Sequence, residues 1–328
     1  SCAAYIVGGR AWVASLARCS SQLEAAPAAV SVALQGGRQQ ALLAVSRSGQ
    51  VSKTGVCPHA RSSQDLLQIS SFLPLPPVRM VACGQNHSLV ILACGSALSW
   101  GRTGMGALGH GDRLAREEPT VIEALSQARV VHASAGLQHS LFVSHSGVAF
   151  SCGHGASGEL GHGFPGEALL PLPIQSMEGT ALAKCTAGAN SSVFLGRDGS
   201  AWSCGHGQCG KLGHGHRHNL MVPTRVGGME GACVDCAVGE VHMLFLQVGR
   251  SEASWSRVLG CGSNVDGELG FDDLEVWSPR ELQVPQRAAP VAVAASRKAS
   301  LIVLRGGDAW LLTDDVGGWR KVAIQQEP

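Results

Sequence analysis

The chain is poor in most features that mark a dedicated chemistry. Aromatic residues make up only 5% of its 328 residues, with a single Tyr, so the core must be filled mainly by Val, Leu, Ala and Cys. Lys and Arg number 25 against 24 Asp and Glu, a formal charge of +1, which excludes global attraction to nucleic acid or to acidic lipid. No run of 18 apolar residues is present, and SCAAYIVGGRAWVASLA has neither a basic leader nor an unbroken apolar core. No membrane span or signal peptide is therefore expected.

Two residue types are abundant instead, with Gly at 43 and Cys at 12. The cysteines invite a zinc or disulfide reading, but their register argues for packing. Cys152 and Cys204 stand where Trp100 stands in an earlier repeat, directly before a Gly, and Cys261 holds a matching place. A position that accepts Trp or Cys is a packing position. Cys233 and Cys236 form a CxxC within the strand-like ACVDCAV, where i,i+3 spacing sends side chains to opposite faces, and no second pair completes a four-ligand set. Buried thiols fit a reducing compartment, so an intracellular site, cytoplasmic or nuclear, is expected.

The glycines recur in register. Gly84, Gly136, Gly188 and Gly239 each end one strand-like run and precede another, at spacings of 52, 52 and 51 residues. Upstream, Gly37 offers the same unit, and downstream Ser296 takes the Gly place. A repeat near 50 residues with several short strands per unit predicts an all-β propeller of four-stranded blades, none of which can stand alone. Six full first strands and one headless unit at CAAYIVGGRAW make seven blades. The C-terminal WRKVAIQ is expected to complete the first blade and close the ring. One domain, 1–328, follows, with clear repeats over 79–284 and degenerate blades at 1–78 and 285–328. A Ser/Pro-rich inserted loop at 53–78 and a longer polar hairpin at 248–258 break the pattern, and such loops are where a rigid scaffold places specificity.

Within the repeats, His87, His139 and His242 follow the Gly by three. They are read as structural, hydrogen-bonding to the backbone of a neighbouring turn and joining blade to blade. The Gly-x-Leu-Gly-x-Gly turns lack the Lys-Ser/Thr of a phosphate loop, and no helix follows. Ala107, Glu159, Lys211 and Glu268 share one variable turn position, expected to project from a rim. His110, His162 and His214 recur as turn residues, and with His216 and His218 they make no converging metal set. No catalytic residue, cofactor or metal is expected.

The series SWGRTGMGALGHGD, SCGHGASGELGHG, SCGHGQCGKLGHG and GCGSNVDGELGFDD resembles the RCC1 (regulator of chromosome condensation) family of seven-bladed propellers, over about 80–300. The resemblance implies the fold and leaves the activity open. Relatives include a nucleotide exchange factor for a small GTPase that also docks on nucleosomes, a plant ultraviolet photoreceptor, and many protein-interaction modules. The photoreceptors cluster Trp on one face. Here Trp100 and Trp202 fall in different repeats without a GWRHT-like motif, so light sensing is not expected. No basic tail supports nucleosome docking. Exchange activity needs a loop that wedges into a GTPase, and the hairpin at 251–256 with Glu252 is the candidate. The preferred expectation is a non-enzymatic protein-binding platform, monomeric by itself, with guanine-nucleotide exchange or chromatin docking as alternatives. Its candidate contacts are Arg102, Met105, Arg113, Arg116, Phe164, Arg217, Glu252, Trp255, Arg257, Phe271 and Trp277. Arginine and aromatic side chains dominate such interfaces.

Overall fold

In a computed structural model, residues 77–322 are described in atomic detail except 103, 250–254, 286–287 and 314–317; between 2 and 68 only the strand backbones are described. Among these residues the chain forms seven antiparallel sheets, six of four strands and one of two. Blade 1 pairs Cys2–Val7 with Arg10–Ser15. Blade 2 begins at Ala29–Gln35, blade 3 at Val78–Cys83, blade 4 at Val130–Ala135, blade 5 at Leu182–Ala187, blade 6 at Ala232–Val238 and blade 7 at Pro290–Ala295. Each first strand lies against the first strand of the next blade, and Cys2–Val7 lies against both Ala29–Gln35 and Pro290–Ala295, which closes a ring. The terminal strand Gly318–Val322, expected from sequence to complete blade 1, does not do so. It pairs antiparallel with Ala309–Thr313, the strand just before it in the chain, as the fourth strand of blade 7.

Strand chemistry follows position. Second strands such as His87–Leu92, His139–Ser144 and Ala299–Leu304 are buried along their whole length. Both faces of each meet neighbouring blades, so their sequences read as continuous apolar runs rather than alternation. Fourth strands are half exposed and each of those in blades 3 to 6 carries proline: Pro119, Pro171, Pro223 and Pro279. Proline has no N–H to offer an incoming strand, which protects the outer edge of each blade.

The core lies in the seams between blades. Leu89 and Ile91 of blade 3 pack with Phe142 and Cys152 of blade 4. Leu141 and Val143 of blade 4 pack with Phe194 and Cys204 of blade 5, and Val193 and Leu195 of blade 5 pack with Phe245 and Cys261 of blade 6. Phe142, Phe194 and Phe245 hold one repeated position, each filling the seam behind its blade. Cys233 and Cys236 share this last core, although alternation placed them on opposite faces. A bulge between Cys233 and Asp235 shifts the register by one, and the same bulge recurs in the first strands of blades 2 to 7.

Polar stitches join the seams. Ser140 Oγ donates to the Ala107 carbonyl (2.7 Å), so its oxygen accepts from His87 Nε2–H (2.9 Å). The relay repeats as His139 to Ser192 to the Glu159 carbonyl and as His242 to Ser300 to the Glu268 carbonyl. The histidines therefore bond a serine hydroxyl of the next blade rather than turn backbone. Each imidazole also explains its glycine: a Cβ at Gly136 would fall 2.3 Å from His139 Cε1. Burial drives His139 down to a pKa of about 3, and His87 and His242 to about 4, so all three are neutral.

The seam between blades 5 and 6 is built differently. Ser191 stands in the His position and Met243 in the Ser position. Val238, where other blades have Ala135, Ala187 and Ala295, presses on Gly188. Elsewhere a backbone amide also crosses, as Gln85 to Gly136, Leu137 to Ala189 and Glu240 to Ser296. At this seam the carbonyl of Glu240 accepts the Lys211 ammonium instead (2.8 Å). Burying a methionine returns about 1.5–3 kcal/mol. Against that, the buried Ser191 hydroxyl finds no partner, a cost of about 1–3 kcal/mol, and a buried ammonium costs several more.

Candidate functional site

Topology sorts the expected contact residues onto two faces. The loop after each third strand forms the Gly-x-Leu-Gly-x-Gly turn, beside the His end of the second strand. The hairpin between second and third strands lies at the other end. Arg102, Met105, Arg113, Arg116, Phe164, Arg217, Phe271 and Trp277 gather on the turn side of blades 3 to 6. Trp255 and Arg257 lie on the hairpin side of blade 6, and Glu252 falls outside the described residues. The candidate set is therefore not one surface.

The turns are rigid for a local reason. Gly163 N–H donates to the Met221 carbonyl of the next blade (2.9 Å), as Gly111 does to Leu169 and Gly215 to Trp277. At Gly161, with φ +75°, an added Cβ would lie 2.9 Å from Pro223 Cδ, so only glycine lets the turn seat on the neighbouring proline. A second relay pins each turn from within. Ser151 Oγ donates to the Leu160 carbonyl (2.7 Å) and accepts from His162 Nε2–H (3.1 Å), with Ser99–His110 and Ser203–His214 repeating it. In blade 6 both partners change together, to Gly260 and Phe271. Asn264 takes over, donating to the Phe271 and Asp273 carbonyls and accepting from the Leu269 and Gly270 amides.

The variable turn position does not project from a rim. Ala107, Glu159, Lys211 and Glu268 are all at most 2% exposed, which removes them as partner-reading residues. Glu159 accepts from His154 and from the Ser157 amide, a local closure of its turn. Burial pushes Glu268 up, and burial holds Lys211 down to about 8.

What the turn face does present is cationic and aromatic. The Arg217 guanidinium lies 4.8 Å from the Trp277 ring and pairs with Glu275 at 2.5 Å. Arg280 covers Phe271 at 4.1 Å, leaving that ring half-buried. Phe164 is 62% exposed, stacked on His162. Arg113 pairs with Glu167 of the next blade, Arg116 with Asp112, and the Arg102 side chain is exposed. On the far face Arg257, half-buried, stacks on Trp255 at 4.8 Å and reaches Glu230 and Glu281. Such cation–π pairs fix both partners in advance of any contact.

Among the described residues no group of three or more His, Cys, Asp or Glu converges to hold a metal. Burial raises the thiols of Cys152, Cys185, Cys204, Cys233 and Cys261, and that of Cys236 to about 12, so none is a poised nucleophile. No described helix is long and apolar enough to cross a membrane. The serine relays, Asn264 and Lys211 escaped sequence reasoning. The His-Ser dipeptides at 87–88 and 139–140 carried the signal, because one residue reaches forward and the other receives from behind.

Fold and turns define a β-propeller assembled from one repeated polar-pinned unit. The Regulator of chromosome condensation (RCC1) repeat matches residues 95–143 and 198–246, and the chain is an RCC1-like propeller. It is 29% identical over 214 residues to the human E3 ubiquitin-protein ligase HERC2, covering 64% of this chain and 4% of that protein. To the Ultraviolet-B receptor UVR8 of Arabidopsis thaliana it is 32% identical over 182 residues, covering 55% of this chain and 41% of the receptor. The chain thus matches less than half the length of these relatives. The structure of Prp20p from Saccharomyces cerevisiae superposes with a TM-score of 0.69 over 89% of this chain and 76% of that one, at 19% identity, a likeness of fold.

Proposed function

We propose that the propeller is a non-enzymatic protein-interaction module, one domain over 1–328, that presents the turn face of blades 3 to 6 to an intracellular partner. The observation that carries this reading is the pre-ordered Arg217–Trp277 pair beside the exposed Phe164, set on turns locked to the next blade. Rigid aromatic anchors lose little entropy on binding and head the list of interface hot spots. The histidines that might have served chemistry are neutral and spent in stitches. Relatives fit the same use: Prp20p is described with its binding to Gsp1p and histones, and HERC2 is a ligase whose match to this chain is a small part of its length.

The test is capture of partners by the tagged chain from its own cells, in parallel with excess GTP or EDTA. A near-stoichiometric partner indifferent to nucleotide, lost in Phe164→Ala/Trp277→Ala and kept in Trp255→Ala, is expected. A GTPase enriched by EDTA and released by GTP would replace this reading with nucleotide exchange. A partner lost only in Trp255→Ala would move the site to the hairpin face.

A further inference from the structure

Four seams separate blades 3 to 7, and among the described residues three of them carry the histidine–serine–carbonyl relay together with a crossing backbone amide at the His end. The fourth, between blades 5 and 6, lacks the relay and the crossing amide at its His end among the described residues, while backbone bonds from Gly215 to Trp277 and from Cys233 to Gly199 cross it elsewhere, as their equivalents cross the 3–4 and 4–5 seams. Its substitutions are matched: Ser191 for His, Met243 for Ser and Val238 for Ala fill the space with apolar atoms and leave the Ser191 hydroxyl buried without a partner. At and beside the missing relay, lysine side chains cross instead. Lys211 reaches Glu240 O, and Lys184 reaches the Val234 carbonyl (3.1 Å) and Asp235 (3.5 Å).

A second observation falls on the same seam. Two clefts, of about 330 and 250 Å3, open on the hairpin side of blades 5 and 6, lined by Gly199, Arg225 and Gly231 in one and by Lys184, Arg197 and Val234 in the other. The seam thus opens to clefts at its hairpin end and lacks the buried relay at its His end, where Lys211 bridges instead. Apolar packing is non-directional, so where Met243 and Val238 replace the relay, parting the two faces breaks no buried relay of directional bonds.

We propose that the ring has a built-in opening point: blades 5 and 6 part under native conditions while blades 3–4, 4–5 and 6–7 stay joined. Parting exposes the inner faces of Val193, Leu195, Met243 and Phe245, a surface absent from the closed ring. Opening of one cooperative unit ahead of global unfolding is the expected behaviour where one of four neighbouring described seams lacks the relay of the other three.

The chain carries its own probes. Cys152, Cys204 and Cys261 hold one register position in blades 4, 5 and 6, each fully buried, at the 3–4, 4–5 and 5–6 seams respectively. Each is followed by glycine, so their intrinsic reactivities in an opened state match closely. Pulsed alkylation of the intact native chain with N-ethylmaleimide, read site by site by mass spectrometry, compares the seams directly. Cys261 is expected to react at least tenfold faster than Cys204 and Cys152, the difference of about one lost hydrogen-bond relay. Equal rates at all three would mean global opening only and would overturn the proposal. Installing the relay with Ser191→His/Met243→Ser/Val238→Ala should bring Cys261 to the Cys204 rate, with Cys152 reporting that the rest of the ring is intact. A folded variant in which Cys261 stays fast would equally overturn it. Should that variant fail to fold, the wild-type comparison decides.

Discussion

The seam between blades 4 and 5 and the seam between blades 5 and 6 are built from the same repeat, 52 and 51 residues apart, with the same bulged first strand and the same buried phenylalanine. They differ in how polar groups are handled. At the first, every buried donor and acceptor of the relay is matched across the boundary. At the second, a methionine, a valine and two lysines stand in, and one hydroxyl is orphaned. The paired replacement of Ser and His by Gly260 and Phe271 in the blade 6 turn removes the directional bond together with both of its polar groups, whereas at the 5–6 seam both partners changed and the Ser191 hydroxyl still lacks a partner. Changing one partner alone leaves a buried group unsatisfied, which is the costly case.

The contrast can be broken most severely through backbone geometry. Gly153 is next to last in the third strand of blade 4 (Ala149–His154), at φ +107°, and an added Cβ would lie 2.4 Å from the Gln138 carbonyl. Gly153→Ala is expected to destabilise by about 3–4 kcal/mol, read by urea unfolding. Next, His139→Ala removes the 4–5 relay and leaves a cavity, for a loss of about 2–4 kcal/mol and faster alkylation of Cys204 than of Cys152. Asn264→Ala, which deletes four hydrogen bonds in the blade 6 turn, is expected to lose about 2–3 kcal/mol, more than His162→Ala in the half-buried blade 4 turn.

Lys211→Met sharpens the comparison in the opposite direction. The folded-state pKa, near 8, lies below the unfolded value of 10.5, so the unfolded chain holds the extra proton between those pH values. Stability from this group is therefore full above pH 10.5 and is lost as pH falls to 8. Glu240, Cys209 and Glu159 face the ammonium and favour its charge, while His139, His206 and His242 feel it. At pH 7 the methionine variant is expected to be more stable by about 1–2 kcal/mol, with the stability gap closing between pH 8 and 10.5. The difference between the two proteins isolates the lysine from the buried thiols, whose raised values tilt the other way. Smallest is Arg217→Ala: an exposed ion pair changes stability by less than about 1 kcal/mol, so any large loss of partner binding reads as contact rather than folding.

The repeat spacing and the Gly-flanked apolar runs were sufficient for the fold, because each second strand is buried on both faces and each turn needs its glycines. Three things were not legible. The path of the last strand depends on which edge is nearer, and Trp319 and Val322 pair locally with Leu312 and Ala309. The common face of Cys233 and Cys236 depends on a bulge that alternation cannot show. The burial of Lys211 and Glu268 contradicts what charged residues in a Gly-rich turn suggest, and only the closeness of the next blade explains it. Of the contact residues, sequence reasoning found the aromatics and arginines but not their division between two faces.

The most direct measurement is a pair of double-mutant cycles on unfolding free energy, one for His139 and Ser192 and one for their counterparts Ser191 and Met243, each truncated to Ala. A coupling of about 1 kcal/mol or more across the 4–5 seam and less than about 0.5 kcal/mol across the 5–6 seam is expected. Equal coupling at the two seams would contradict the claim that the relay, and its absence, sets how firmly neighbouring blades are joined.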